Sequence, residues 1–189
     1  MRKSIFIFLL LLLVISCKKT PSYQKQVNKE LKEIHSIEGQ KQFLQKIYDD
    51  SEALILKKED LEKDYFKNRD SLRMVESEIL LKKEINFYRA KKYLENYQYP
   101  DSINYSKEER LSIYYTLLNH TKISEQLEYC SIFKEAYKNG SLNKYDYLSY
   151  LFRIYYLYND SFYKFDKKQS IEEIIAELEP IVFKYKKKV

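Results

Sequence analysis

Residues 44–79 read LQKIYDDSEALILKKEDLEKDYFKNRDSLRMVESEI, and their spacing decides the fold class. Ile47, Leu54, Leu61 and Val75 recur at heptad steps, with Asn68 interrupting. Leu44, Tyr65, Leu72 and Ile79 make a second row, interrupted by Ser51 and Lys58. Apolar residues at this period share one face of an α-helix. No stretch of the chain alternates for long with the period of two that a half-buried strand requires. The pattern suits a long helical hairpin or bundle arm. The plainer reading, an amphipathic helix packed on its own domain, is preferred for the seam itself. Asp70 and Ser71 are capping types, so a helix break is expected near Asn68–Ser71.

Working outward, the flanks are also helix-patterned. Residues 24–34 and 40–70 are rich in Glu, Lys, Leu and Gln, which are good helix formers. A run over about 72–97 carries Ile79, Leu80, Ile85, Phe87, Tyr88 and Leu94 and stops at Tyr99-Pro100-Asp101. Pro100 disfavours helical geometry at Tyr99. Beyond it, caps punctuate the chain. Ser106-x-x-Glu109 is a capping box opening a helix to about Asn119. The next helix runs from about Lys122 to the stop at Asn139-Gly140. Asn143-x-x-Asp146 opens another, to about Tyr158. Ser170-x-x-Glu173 opens a last one, expected to end before Pro180. The expected fold is all-α, a multi-helix bundle of five to seven helices after an N-terminal signal helix. The expected organisation is a signal peptide over 1–16, a polar tether over 17–23, and one helical domain over 24–189. Within that domain a long helical arm spans 24–97 and a compact bundle 98–180.

Composition limits the chemistry. The chain has 189 residues, a third of them charged, with 2 Gly, 2 Cys, no Trp and 20 Tyr. Gly39 and Gly140 stand alone, so no phosphate cradle, dinucleotide fingerprint or nucleophile elbow can be written. The net charge is +6, and setting aside Arg2 and Lys3 leaves +4. Acids and bases are mixed along the chain, without the clustered cationic face that nucleic acid requires. His35 and His120 lie far apart and lack a second His at helical spacing, so no metal site and no cofactor is expected.

Met1-Arg2-Lys3 is a short positive segment, and Ile5 to Ile15 is an unbroken run of eleven apolar residues. A membrane span needs about 20, so the run reads as a signal core. Val14-Ile15-Ser16-Cys17 follows, and it resembles a bacterial lipobox. That resemblance implies diacylglyceryl transfer to the Cys17 sulfur and cleavage before Cys17. It also implies a lipid-anchored protein of the bacterial cell envelope, periplasmic or surface-exposed. Lipidation of Cys17 leaves Cys130 without a disulfide partner. Cys130 lies between apolar positions and reads as a small buried hydrophobe.

Asn86 stands fourteen residues before Pro100 in Tyr97-Gln98-Tyr99-Pro100. Asn119-His120, Ala136-Tyr137-Lys138-Asn139-Gly140 and Phe152-Arg153 follow in order, with Asp50 upstream. In that order, from about Ile47 to Phe165, the chain resembles a helical bacterial domain family of unknown function, often secreted or lipid-anchored. The family pattern has Asp-Gln-x-x-Arg, then Asn before a Gly-Tyr-Pro loop, then Gln-His, Asp-Arg and Tyr-Gly. It implies a helical fold and brings no reaction with it. Here Gln98 replaces the Gly, Phe152 replaces the Asp, and Ser51 and Leu54 replace the early Gln and Arg.

His120 is the sharpest chemical candidate, since its ordinary pKa lies near neutrality. One expectation gathers Asn86, Asp101, His120 and Arg153 into a single cleft for an anionic or sugar-like ligand. The alternative is a His at a helix C-terminus that meets carbonyls and the dipole. Tyr145, Tyr147, Tyr150, Tyr155, Tyr156 and Tyr158 crowd one helix, either as core or as an aromatic face for a glycan or protein. The tail Lys184-Tyr185-Lys186-Lys187-Lys188 reads as solvated, with contact to anionic headgroups as the second reading. The leading function is a lipid-anchored binding or interaction module, its partner an envelope protein or a cell-surface ligand. An envelope hydrolase centred on His120 is one alternative. A structural bundle oligomerising along Leu44–Ile79 is the other.

Overall fold

The computed structural model describes residues 21–120 and 122–187. The expected signal peptide, Cys17 and most of the tether lie outside these residues. The described chain is all-α, with eight helices. They are α1 Ser22–Lys32, α2 Ile37–Glu62, α3 Tyr65–Asn96, α4 Lys107–Leu118, α5 Ile123–Glu128, α6 Cys130–Lys138, α7 Lys144–Asn159 and α8 Ile171–Lys186.

Local chemistry places four of the eight helix starts. The Ser36 hydroxyl accepts from the Gly39 N–H at 3.1 Å to open α2. Capping boxes at Ser106/Glu109 and Ser170/Glu173 open α4 and α8. Asn143 Oδ1 accepts from the Tyr145 and Asp146 N–H groups to open α7. Gly140 holds a φ of +79° at the end of α6, a conformation in which a Cβ is strained. This lets the Leu142 N–H reach back to the Ala136 carbonyl at 2.9 Å.

Three boundaries differ from the sequence expectation. The break expected near Asn68–Ser71 falls at Lys63–Asp64 instead. Asn68 still serves that corner from inside α3, because its Nδ2 donates to the Leu61 carbonyl at 3.1 Å and meets one of the open carbonyls ending α2. The run 122–139 is divided at Tyr129, whose N–H closes a tight turn on the Gln126 carbonyl at 3.0 Å. The Tyr150 hydroxyl takes the same carbonyl at 2.6 Å. The last helix does not stop before Pro180 but continues to Lys186. A proline inside a helix costs about 3 kcal/mol. Here the apolar stripe of Ile174, Ile175, Leu178, Val182 and Tyr185 is buried on both sides of Pro180, and that burial offsets the lost hydrogen bond.

The core is aromatic and sits where the base of the α2–α3 hairpin meets α4 to α8. Phe133 lies at its centre, with Tyr150 edge-on at 4.6 Å between ring centroids and Tyr114 at 5.5 Å. Tyr93, Tyr147, Leu44, Ile47, Leu117, Leu151 and Ile154 are also fully buried. Tyr147 and Tyr150 of the tyrosine-crowded helix are therefore core, while Tyr145 and Tyr158 are exposed. Of the heptad rows, Leu44, Ile47, Leu72 and Val75 are buried within the chain.

The hairpin outgrows the bundle. Among the described side chains from Tyr48 to Ile85, only Leu72 and Val75 are buried, and both stand apart from the main core. Ion pairs rung the two helices together, Lys57 to Glu78 at 3.7 Å and Lys58 to Glu76 at 3.3 Å. Ile55, Leu56, Tyr65, Phe66, Met74, Leu80 and Leu81 are exposed along this arm. Replacing a core ring should cost far more than replacing one at the tip. Phe133→Ala is expected to lose about 3–5 kcal/mol in urea unfolding. Phe66→Ala, at a side chain 93% exposed, is expected to stay within about 0.5 kcal/mol of wild type.

Candidate functional site

Two buried residues in one turn of α3 face its neighbours rather than solvent. Arg89 and Asn86 lie three residues apart, so their side chains share a helix face, and Arg89 is 3% exposed. The Arg89 guanidinium donates through Nη1 to Asp50 Oδ2 at 2.6 Å and to Asn86 Oδ1 at 2.9 Å, and through Nε to Glu30 Oε2 at 3.3 Å. Lys82 reaches Asp50 at 2.8 Å, and Lys46 reaches Glu30 at 2.6 Å. Asn86 Nδ2 donates to the Ile47 carbonyl at 3.1 Å and to Ser51 Oγ at 3.0 Å. Helices α1, α2 and α3 are thereby joined by one polar cluster. Burial alone would raise both carboxyls. The hydrogen bonds from Lys82 and Arg89 outweigh it at Asp50, as those from Lys46 and Arg89 do at Glu30, so both lie below their ordinary values.

His120 follows α4, its ring stacked on Phe87 at 3.7 Å between centroids. Its Nε2 touches the Glu125 carboxylate and yet has no aligned hydrogen bond. The open carbonyls ending α4 are met by Gln126 instead. Its fully buried Nε2 donates to the Leu118 carbonyl at 3.0 Å and to the carbonyl of His120 itself. Asp101 closes its own loop, accepting from the Ile103 and Asn104 N–H groups at 2.8 and 2.7 Å. Hydrogen bonds from the Asn104 side chain and backbone hold its carboxyl below the ordinary range. Arg153 lies half-buried on α7, its Nε without a partner. No hydrogen bond or ion pair joins any two of Asn86, Asp101, His120 and Arg153. The nearest link is through chain neighbours, since Phe87, which carries the His120 stack, follows Asn86.

A cavity of about 250 Å³ opens elsewhere, between the start of α4 and the turn before α7. Lys107, Arg110 and Asp146 line it with Ser141 and Asn143. Arg110 Nη1 donates to the Ser141 carbonyl at 2.6 Å. Burial pushes the Asp146 carboxyl up, against a hydrogen bond from Asn143 and the fields of Lys107 and Arg110. None of the four expected site residues lines this space.

Cys130 is buried, its Sγ 3.2 Å from the Tyr150 hydroxyl. Tyr150 spends its proton on the Gln126 carbonyl, so the thiol is the donor between the two. Burial pushes the thiol pKa up, away from the thiolate that nucleophilic chemistry requires. Among the described residues no group of three His, Cys, Asp or Glu is placed to hold a metal ion, and no helix is long and apolar enough to cross a membrane.

Glu30, Arg89 and Gln126 were not singled out by sequence reading. The available signal was polar residues inside apolar helical stripes, such as Arg89 between Ile85 and Tyr93. Comparison with family models, with curated proteins and with solved structures finds no match for this chain.

The cluster has a pH signature with a definite sign. Asp50 and Glu30 have depressed values when folded, so their stabilisation is complete above the unfolded carboxyl values, about 4. It is lost as pH falls through the lower folded values. Arg89→Met removes the shared cation and leaves two partly buried carboxylates short of a partner. It is expected to lose about 2–4 kcal/mol at neutral pH and to flatten the decline below about pH 4. Urea midpoints of both proteins from pH 3 to pH 7 measure this.

Proposed function

We propose that this is a lipid-anchored protein of the bacterial cell envelope whose work is interaction. Acyl chains on Cys17 hold it to a membrane, and the α2–α3 arm meets another envelope protein. The observation that carries the interaction reading is the row of apolar side chains that the arm leaves in solvent, including Leu56, Phe66, Met74 and Leu80. Exposed apolar side chains concentrated on one element suit an interaction site. The rungs of Lys57–Glu78 and Lys58–Glu76 keep the two helices paired without covering that surface. The anchor reading rests on Val14-Ile15-Ser16-Cys17 behind its apolar run. Two or more acyl chains give stable attachment where one is marginal.

A second reading, an envelope hydrolase centred on His120, has one observation in its favour. His120 Nε2 meets the Glu125 carboxylate, a pairing that orients an imidazole, and Arg153 Nε is a buried polar atom without a hydrogen-bond partner. Its test is turnover of ester, phosphate and glycoside substrates that His120→Ala abolishes while the protein stays folded.

Metabolic labelling with a palmitate analogue tests the anchor. Wild-type protein is expected to carry label and fractionate with membranes, and Cys17→Ala to do neither. Label retained by Cys17→Ala would overturn the anchor. For the arm, a thiol crosslinker is attached through Leu80→Cys and, as reference, through exposed Tyr145→Cys. A discrete adduct with one envelope protein from position 80 alone, lost on adding Phe66→Asp, is the expected result. Equal adducts from both positions would remove the arm from the proposal.

A further inference from the structure

The segment between α7 and α8 folds back over the last turns of α7 as a layer of rings. Phe162 lies against Tyr156 at 4.9 Å between centroids, Tyr163 against Tyr155 at 5.2 Å, and Phe165 against Phe152 at 5.7 Å. Tyr158 stacks flat on Tyr185 of α8 at 3.7 Å. The layer is not sealed, because Phe162 is 81% and Phe165 47% exposed, and Tyr158 is exposed beside them. Exposed lysines surround it: Lys164, Lys167 and Lys168 from the segment, Lys184 and Lys187 from the end of α8.

The charges here are arranged differently from those on the arm. On the arm, Lys57 and Lys58 are answered by glutamates. Among the described residues, Lys164, Lys167, Lys168 and Lys184 make no ion pair. The nearest carboxylates, Asp160, Asp166 and Glu177, make no ion pair with these lysines. Asp166 accepts from the Lys168 N–H at 2.9 Å, and Glu177 accepts from the Tyr163 hydroxyl at 2.9 Å and from Gln169 at 2.7 Å. The result is exposed rings set among lysines held in no ion pair.

We propose that this face, with Tyr158, Phe162 and Phe165 ringed by Lys164, Lys167, Lys168 and Lys184, is a membrane-contact surface that docks on anionic lipid headgroups. Phenyl and phenol rings suit the boundary between headgroups and acyl chains, and lysine stems lie along it while their ammonium groups reach phosphate. Juxtamembrane lysines draw toward anionic leaflets within a Debye length. A protein partner for the same face would have to bring a concentrated set of acids, which the bilayer supplies without further design.

The proposal rests on the anchored reading. Four residues separate Cys17 from Ser22, the first of α1, so the tether spans about 18 Å at most. A body held that close meets the headgroups with some surface, and this one has the matching chemistry.

The chain has no Trp, so Phe162→Trp installs a single reporter at an exposed position. Phe66→Trp on the arm is the reference. Each full-length, membrane-purified protein is reconstituted into phosphatidylcholine vesicles with brominated acyl chains, with or without phosphatidylglycerol. The indole at position 162 is expected to shift to the blue and lose emission to bromine when phosphatidylglycerol is present, while that at position 66 does neither. Adding Lys167→Gln and Lys168→Gln is expected to weaken the headgroup interaction about tenfold, as is raised salt. Unquenched emission at position 162 in anionic vesicles, or equal quenching at both positions, would overturn the proposal. Flotation of the same samples separates the two ideas. Protein that leaves phosphatidylcholine vesicles refutes the anchor, while quenching in excess anionic vesicles still reads the face.

Discussion

A guanidinium withdrawn from water has to be met by acceptors on every side, and Arg89 imposes that condition where α1, α2 and α3 meet. Its acceptors come from Glu30 on α1, Asp50 on α2 and Asn86 on its own helix. No small rotation of α3 keeps all of them, so the cluster sets how α3 lies on its partners. Ala90 and Tyr93 are then turned to the core and Phe87 toward His120. Buried ion clusters of this kind add little net stability over an apolar replacement. Their effect here is to exclude other registers of a hairpin whose outer half has few buried contacts.

The bundle beyond Pro100 repeats the same economy with neutral groups. Tyr150 and Gln126 are both buried, and each meets backbone groups left open by a helix end or turn. A tyrosine-rich core can serve in this way because each ring carries one polar atom that reaches a carbonyl. The cost is angular precision, visible in Tyr129 OH and Gln126 Oε1, which are buried without partners.

How much of this was legible in the sequence depended on the range of the interaction. Helix starts at Ser106, Asn143 and Ser170 and the stop at Gly140 are written within four residues, and they were read from the sequence. The turn at Asp64 was misplaced because Asn68, taken as part of the break, acts across it on Leu61. Pro180 was read as a stop because local propensity opposes it, while the burial of Val182 and Tyr185 that carries α8 past it is tertiary. The candidate site suffered most. Asn86 was singled out, but its partners Ser51 and the Ile47 carbonyl, and the Asp50 that meets its neighbour Arg89, are brought together by the hairpin. Asp101 looked available for chemistry and is engaged by its own loop, a local pattern in Asp-x-x-Asn that sequence does contain.

The arm also has a mechanical side. Between Ser51 and Glu62 α2 rises about 17 Å, so a tilt of about ten degrees at its base would carry the tip about 3 Å. The base is clamped by charge on three helices, and the outer part by Leu72, Val75 and a few exposed ion pairs. The hairpin is thus a lever with a stiff root and a compliant end. A load applied near Phe66 would bend the outer turns before it reached Arg89, and the aromatic core would register little of it.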